Sequence, residues 1–218
     1  MKMAHPVYFE AVEITDENPQ TLVIENNQLF RKAVLEMKSQ CEISVGDYIL
    51  SQDNATMNFE KNTVLITDPF TTDFEQRQLK TKLNQLLIEE IDYDHLLTTI
   101  NKLNETAVMI SNTSRYPLTF NMDINAGDII KLLNFQIDAL SFEDTERILE
   151  YINISSELLG KKLVILIGIK DILNAEEYSD FIEMIVYRKI HLLMLEHRQH
   201  DYDDINHLRI IDSDLCVI

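Results

Sequence analysis

The chain has 218 residues, of which 45% are hydrophobic and 26% charged, values typical of a soluble globular protein with one substantial core. Its 19 Lys and Arg against 37 Asp and Glu give a formal net charge of −18, so nucleic-acid binding requires the few cations to gather on one surface or a bound cation to intervene. Two cysteines are too few for a disulfide scaffold, which favours the reducing cytoplasm. The sequence has no apolar run long enough to span a membrane and no signal-peptide pattern, so we expect a cytoplasmic protein with no membrane partner.

The first 68 residues predict part of an α/β layer. Polar and apolar residues roughly alternate over 7–14, which predicts a half-exposed strand, and 43–50 is a candidate for another. The apolar segments 21–25 and 62–68 predict buried strands, and the apolar spacing of 28–37 is helical.

The middle of the chain has no strong strand pattern. Apolar residues recur at near-helical spacing over 73–90, the same pattern continues over 93–112, and 126–133 begins a further helix. We therefore predict that 70–133 is a helical insertion in the sheet-forming part of the chain.

The C-terminal part gives the clearest fold signal. Segments 161–168 and 189–196 are apolar without alternation, as in strands buried on both faces, and 174–187 between them is an amphipathic helix. Strand, helix and strand form one βαβ crossover, which predicts a parallel sheet. A helix over 141–160 precedes this unit, and 208–218 predicts two short strands or one interrupted strand.

These elements predict an α/β fold with a mainly parallel sheet, in which a discontinuous head, 1–69 and 134–218, carries the helical insertion 70–133. A nucleotide-binding phosphate loop would follow strand 21–25, but it needs closely spaced glycines and a lysine. All four glycines of the chain are isolated. An enzyme alternative stays open in the form of a degenerate nucleotide hydrolase that uses Asp68 or Asp171 at strand ends as a metal ligand.

Two sets of side chains are candidates for binding. Oxygen ligands around a glycine, the chemistry that Ca²⁺ prefers, occur at Asp123, Asn125 and Asp128, although the match to an EF-hand loop is poor and a helix-capping role is the alternative. Basic residues precede the two C-terminal strands, where they should share one edge of the sheet, and others lie on the insertion, where they could form one stripe. The basic candidates are Lys161, Lys162, Arg188, Lys189 and Arg198, with Arg77, Lys80 and Lys82 from the insertion.

The chain resembles the CRISPR-associated type II-A adaptation proteins, which form tetrameric rings around the ends of double-stranded DNA. The strongest stretch is 141–167, where the family has a helix, a basic cluster and an apolar strand. Segment 193–198 is similar to the family's strand ending in Leu-Glu-x-Arg, and 21–25 and 64–68 match its two N-terminal strands. The order of elements agrees over nearly the whole chain.

The resemblance implies a head related in topology to P-loop ATPases without their phosphate loop, and an inserted helical leg. It also implies Ca²⁺ bound between leg and head at the acidic stretch, which falls on 123–130 here and has Asn125 and Ala126 where carboxylates are common. A ring with an acidic exterior and a basic channel would accommodate the net charge, and it would favour linear over circular DNA.

The expected function is therefore non-enzymatic, calcium-assisted and sequence-independent binding of double-stranded DNA ends by a homotetramer during spacer acquisition. The resemblance implies that its partners are the CRISPR integrase pair and the type II-A effector nuclease. Besides the hydrolase, one further alternative remains, an acidic α/β scaffold that contacts only proteins.

Overall fold

The computed structural model describes residues 1–68, 70, 72–141 and 144–217. The chain forms two compact units, here called the head, Met1–Asp73 with Ala139–Ile218, and the leg, Phe74–Asp138. In chain order the first head segment contains β1 (Lys2–His5), β2 (Phe9–Glu13), β3 (Gln20–Ile24), α1 (Asn27–Ile43), β4 (Ile49–Gln52), β5 (Ala55–Met57), α2 (Phe59–Asn62) and β6 (Thr63–Ile66). The leg contains α3 (Arg77–Glu90), α4 (Tyr93–Thr113) and α5 (Ala126–Leu133). The second head segment contains a 3-10 turn (Ala139–Ser141), α6 (Asp144–Leu159), β7 (Leu163–Ile167), α7 (Ala175–Tyr187), β8 (His191–Glu196) and β9 (Leu208–Ile211).

A five-stranded parallel sheet in the order β6-β7-β8-β3-β9 is the centre of the head. Leu163 and Ile165 of β7 pack on one face, against α1 and the N-terminal strands, and Val164 and Leu166 pack on the other, against α6 and α7. Burial on both faces explains why these strands lack polar alternation. The predicted α/β class with a mainly parallel sheet is confirmed.

A second, antiparallel sheet in the order β2-β1-β4-β5 was not anticipated. The half-exposed strand expected over 7–14 is β2, but its hairpin partner β1, joined to it by a turn at residues 6–8, was not predicted. The strand expected over 43–50 is wrong, because α1 continues to Ile43 and β4 begins only at Ile49. The buried Gln40 side chain holds the connection by bonding both backbone groups of Tyr48, at 2.7 and 2.9 Å.

The remaining boundaries differ little from those expected. Helix α3 begins at Arg77 rather than at 73, and Gln76 before it makes no side-chain cap. Among the described residues of the C-terminal segment 208–217, one strand, β9, forms, and Val217 makes an isolated antiparallel bridge with Ile211. Residues 142 and 143, near the predicted start of α6, lie outside the described residues. Within the described part of the chain, no helix combines the length and apolar character needed to cross a membrane.

Candidate functional site

Three of the predicted basic residues meet at the amino edge of the parallel sheet. Lys161 and Lys162 immediately precede β7, and Lys189 lies two residues before the parallel neighbour β8. Together they line a surface cavity of about 220 Å³, whose other lining residues are Met1, Gln52, Ser156, Ile190 and His191. We call this cavity and its lysines the amino-edge cluster.

The three lysines of the amino-edge cluster differ in what their charges contact. Lys161 is half-buried, its Nζ donates to the backbone oxygen of Glu60 at 2.5 Å, and burial lowers its pKa. Lys162 and Lys189 are exposed, and neither has a carboxylate partner within the part of the chain that the structure describes. Lys162 and Lys189 are thus available to an anionic ligand, whereas Lys161 shapes the floor of the cavity.

Backbone geometry fixes where Lys189 lies. The residue has φ +55°, in the left-handed region, and follows the last turn of α7. Its N–H donates to Val186 at 3.0 Å and the N–H of Ile190 donates to Ile185 at 3.1 Å, which is the Schellman arrangement. This position usually holds glycine, so a lysine here accepts backbone strain while it places a cation beside the entrance to β8.

The two predicted arginines of the head lie elsewhere and are paired. Arg188 donates to Glu150 at 2.7 Å, which ties the end of α7 to α6 instead of extending into the amino-edge cavity. Arg198 follows β8 at the opposite, carboxyl edge of the sheet, where Nε and Nη2 donate to Asp171 at 2.8 and 2.5 Å. The five predicted head cations therefore do not form one surface.

The basic residues of the leg are also dispersed. Arg77, Lys80 and Lys82 all belong to α3, and Lys80 pairs with Glu75 at 3.8 Å. At 3.6 residues per turn, Lys82 projects about 160° around the helix from Lys80. The three residues consequently do not make the single stripe that their sequence spacing suggested.

The acidic stretch of the leg forms a helix cap. The side-chain oxygen of Asn125 accepts from the Asp128 N–H at 3.2 Å, and the Asp128 carboxylate accepts from the Asn125 N–H at 3.1 Å. This capping box starts α5 and engages two of the three predicted ligands, while Asp123 lies in the exposed segment before it. As arranged, the three side chains do not fit a Ca²⁺ site, which needs six to eight convergent oxygens.

The connection between β3 and α1 explains what replaces a phosphate loop. Only Glu25 and Asn26 separate the strand from the helix. The Asn26 side-chain oxygen accepts from the N–H groups of Gln28 and Leu29 at 3.1 and 3.0 Å. Those are the helix N-terminal donors that a phosphate would use, so they already have an acceptor.

Sequence reasoning missed two groups near the amino edge. His191, the first residue of β8, lines the cavity, and burial lowers the pKa of its imidazole. Lys61, exposed in α2, lies two residues before β6, which pairs with β7. The rule that selected Lys162, a cation just before a parallel strand, would also have selected Lys61.

The head is thus an α/β domain with a parallel sheet and a basic amino edge, and the connection after β3 is capped by Asn26 where a phosphate loop would lie. Residues 40–215 match the family described as CRISPR-associated protein (Cas_Csn2). The chain belongs to this family, which confirms the resemblance seen in its sequence.

Two further comparisons add little. A solved structure described as an ABC transporter ATP-binding protein from Pyrococcus furiosus covers 92% of this chain and 88% of its own, with 7% identity and a TM-score of 0.41. A likeness at that level contributes nothing to the assignment of function. No curated protein sequence matches the chain.

Proposed function

We propose that this CRISPR-associated protein binds the ends of double-stranded DNA, without sequence preference and without catalysis, during type II-A spacer acquisition. The observation that carries the proposal is the amino-edge cluster, where Lys162 and Lys189 stand exposed and free of carboxylates within the described residues of a chain with a net charge of −18. Lysine contacts to phosphate supply affinity but read no bases.

The other predicted contacts take a secondary place in this proposal. Arg188, Arg198 and Lys80 would have to exchange Glu150, Asp171 and Glu75 for phosphate oxygens. Arg77 and Lys82 extend from different sides of α3. A duplex on one side of this helix would therefore contact only one of the two residues from a given copy of the chain.

The size of the amino-edge cluster supports a proposal of ring formation. A cavity of about 220 Å³ receives a phosphate group or two, not a duplex, so firm binding needs several copies of the cluster around one DNA. We propose a homotetrameric ring, stabilised by Ca²⁺, that presents these copies to a threaded end and hands the DNA to the integrase pair and the effector nuclease. Because the leg's acidic stretch is a poor Ca²⁺ site as arranged, calcium would have to reorganise it or bind where copies meet.

The first test compares linear and covalently closed circular duplexes of equal sequence, each with calcium and with chelator, in a mobility-shift assay. The threaded ring predicts binding to the linear form alone, strengthened by calcium. Equal binding to both forms would retain DNA binding but remove the ring. No binding at low salt with calcium would remove the DNA function and favour the protein scaffold, and ATP turnover by the purified protein would favour the hydrolase.

A matched pair of double variants tests the surface. Lys162→Ala with Lys189→Ala should weaken DNA binding and reduce the slope of log affinity against log salt by about 1 for each lost phosphate contact. The control, Lys32→Ala with Lys38→Ala, removes the same charge from exposed positions on α1. If both double variants lose affinity equally, net charge rather than the amino-edge cluster governs binding.

A further inference from the structure

The carboxyl edge of the parallel sheet holds a cluster that the DNA function does not use. Asp171 follows β7, Glu196 ends β8, and His200 lies in the loop after β8. One ligand atom from each residue lies within 4.8 Å of the other two. Two segments of the head, the turn after β7 and the end of β8 with its following loop, thus bring two carboxylates and an imidazole together.

Glu196 is the unusual member of this cluster. Glu196 is 0% exposed. Its Oε1 atom accepts a hydrogen bond from the Lys170 backbone N–H at 3.2 Å, whereas its Oε2 atom has no hydrogen-bond partner among the described residues. The neighbouring charges are engaged elsewhere, since Lys170 pairs with Asp203 and Arg198 pairs with Asp171. A buried carboxylate left without a counter-charge is costly, and a cation or a proton must neutralise it. Consistent with this, burial raises the pKa of Glu196 to about 7.

His200 offers the nitrogen ligand. Its Nε2 is buried without a hydrogen-bond partner in the described part of the chain, and it lies 3.4 Å from Asp171 Oδ1. Burial lowers the pKa of the imidazole, which favours the neutral form that binds metals. The loop is held in place because Asp203 accepts the His200 N–H at 2.8 Å and the Tyr202 hydroxyl donates to Lys170 O at 2.8 Å.

A second cluster in the head shows what a satisfied group of the same composition looks like. Glu36 accepts hydrogen bonds from the Asp47 N–H at 2.9 Å and the Tyr8 hydroxyl at 3.1 Å, and its Oε1 lies 2.9 Å from His5 Nε2. The other His5 nitrogen is within 3.2 Å of two backbone N–H groups. Every ligand atom of Glu36 and His5 has a protein partner, so nothing there calls for a metal.

We propose that Asp171, Glu196 and His200 bind one zinc ion. Zinc takes imidazole nitrogen and carboxylate oxygen together, whereas calcium requires a larger, all-oxygen shell. The ion would neutralise the Glu196 carboxylate and be coordinated by Glu196 Oε2 and His200 Nε2, which lack other partners among the described residues. It would compete with Arg198 for the Asp171 carboxylate. It would also join the ends of β7 and β8 to the following loop, which makes the site structural and separate from the amino-edge cluster.

The experiment is a Zn²⁺ titration of the untagged, metal-stripped protein by calorimetry, without DNA, so its outcome is independent of the DNA function. We expect one zinc per chain, and about a 10-fold or greater loss of affinity in Glu196→Gln and in His200→Gln. The control is His95→Gln, since His95 lies 3.5 Å from Asp92 in an exposed pair that represents adventitious surface binding. That variant should bind zinc as the unmodified chain does.

Thermal unfolding provides the second readout. Zinc should raise the Tm of the unmodified chain and of His95→Gln, because a ligand that binds only the folded state stabilises it. Glu196→Gln has the same shape as the native residue and removes an uncompensated charge, so it should fold and show a smaller zinc-dependent shift than the unmodified chain. Zinc affinity and Tm shifts that are undiminished in Glu196→Gln and His200→Gln, or that disappear in His95→Gln, would overturn the proposal. So would stronger binding of Ca²⁺ than of Zn²⁺ in the same titration.

Discussion

The two edges of the parallel sheet use charge in opposite ways. At the amino edge, Lys162 and Lys189 are exposed and carry no carboxylate partner among the described residues. At the carboxyl edge, Arg198 pairs with Asp171, and Lys170, which is 3% exposed, bonds Asp203 and Thr21. Ligands of open α/β sheets ordinarily bind at the carboxyl edge. In this head the cations of that edge already pair with carboxylates, whereas the exposed lysines of the opposite edge are available to an external anion.

The largest expected effect concerns the carboxyl edge. Lys170→Met should lower the free energy of unfolding by about 3–5 kcal/mol, because it leaves the buried Asp203 carboxylate unpaired. Adding Asp203→Asn removes that charge and should restore part of the loss. Denaturant unfolding measures both. A loss below about 1 kcal/mol in the single variant would show that this edge is not a structural element.

An intermediate effect compares a cation from each edge. Lys162→Ala should reduce the salt slope of DNA binding by about 1, while Arg198→Ala should leave it unchanged, because Asp171 already holds the Arg198 guanidinium. Fluorescence anisotropy at several salt concentrations measures both slopes. The reverse pattern would move the DNA to the carboxyl edge and remove the contrast between the two edges.

The smallest effect separates charge from backbone at Lys189. Lys189→Gly should stabilise the protein by about 0.5–1 kcal/mol, because glycine adopts the left-handed φ without strain, and yet it should weaken DNA binding. Lys189→Ala should weaken DNA binding equally without the gain in stability. A Tm that is unchanged or lower in the glycine variant would show that the Schellman end tolerates lysine at no cost.

How far the sequence predicts this molecule depends on the range of the interactions involved. The helix predicted over 174–187 is α7, with Asn174 as its cap, because periodicity and capping are local properties. The rule that the starts of neighbouring parallel strands lie at the same edge of a sheet correctly predicted that Lys162 and Lys189 share one edge. The antiparallel sheet escaped prediction, since β1 pairs with β4 across two intervening strands and a helix.

The candidate sites show the same limit. Asp123, Asn125 and Asp128 suggested calcium because their sequence pattern does not distinguish a chelating loop from a capping box. The sequence offered Asp171 as a metal ligand but not Glu196 or His200. Only the fold brings Glu196, at the end of β8, and His200, in the following loop, close to Asp171. Pairing also escaped prediction, because nothing local in the sequence assigns Glu150 to Arg188 or Asp171 to Arg198.

The strand order has a consequence for how the head is made during synthesis. Among the described residues, β3 pairs with β8 and β9, and β6 pairs with β7, so the two parallel strands before the leg do not pair with each other. Each of these described pairs needs β7 or a later strand, so none can form until the ribosome has released β7, about a hundred residues after β6. Until then the apolar strands of the nascent chain have no parallel partner and stay exposed. The leg, which lies between β6 and β7 in the sequence, is therefore synthesised before the parallel sheet can form.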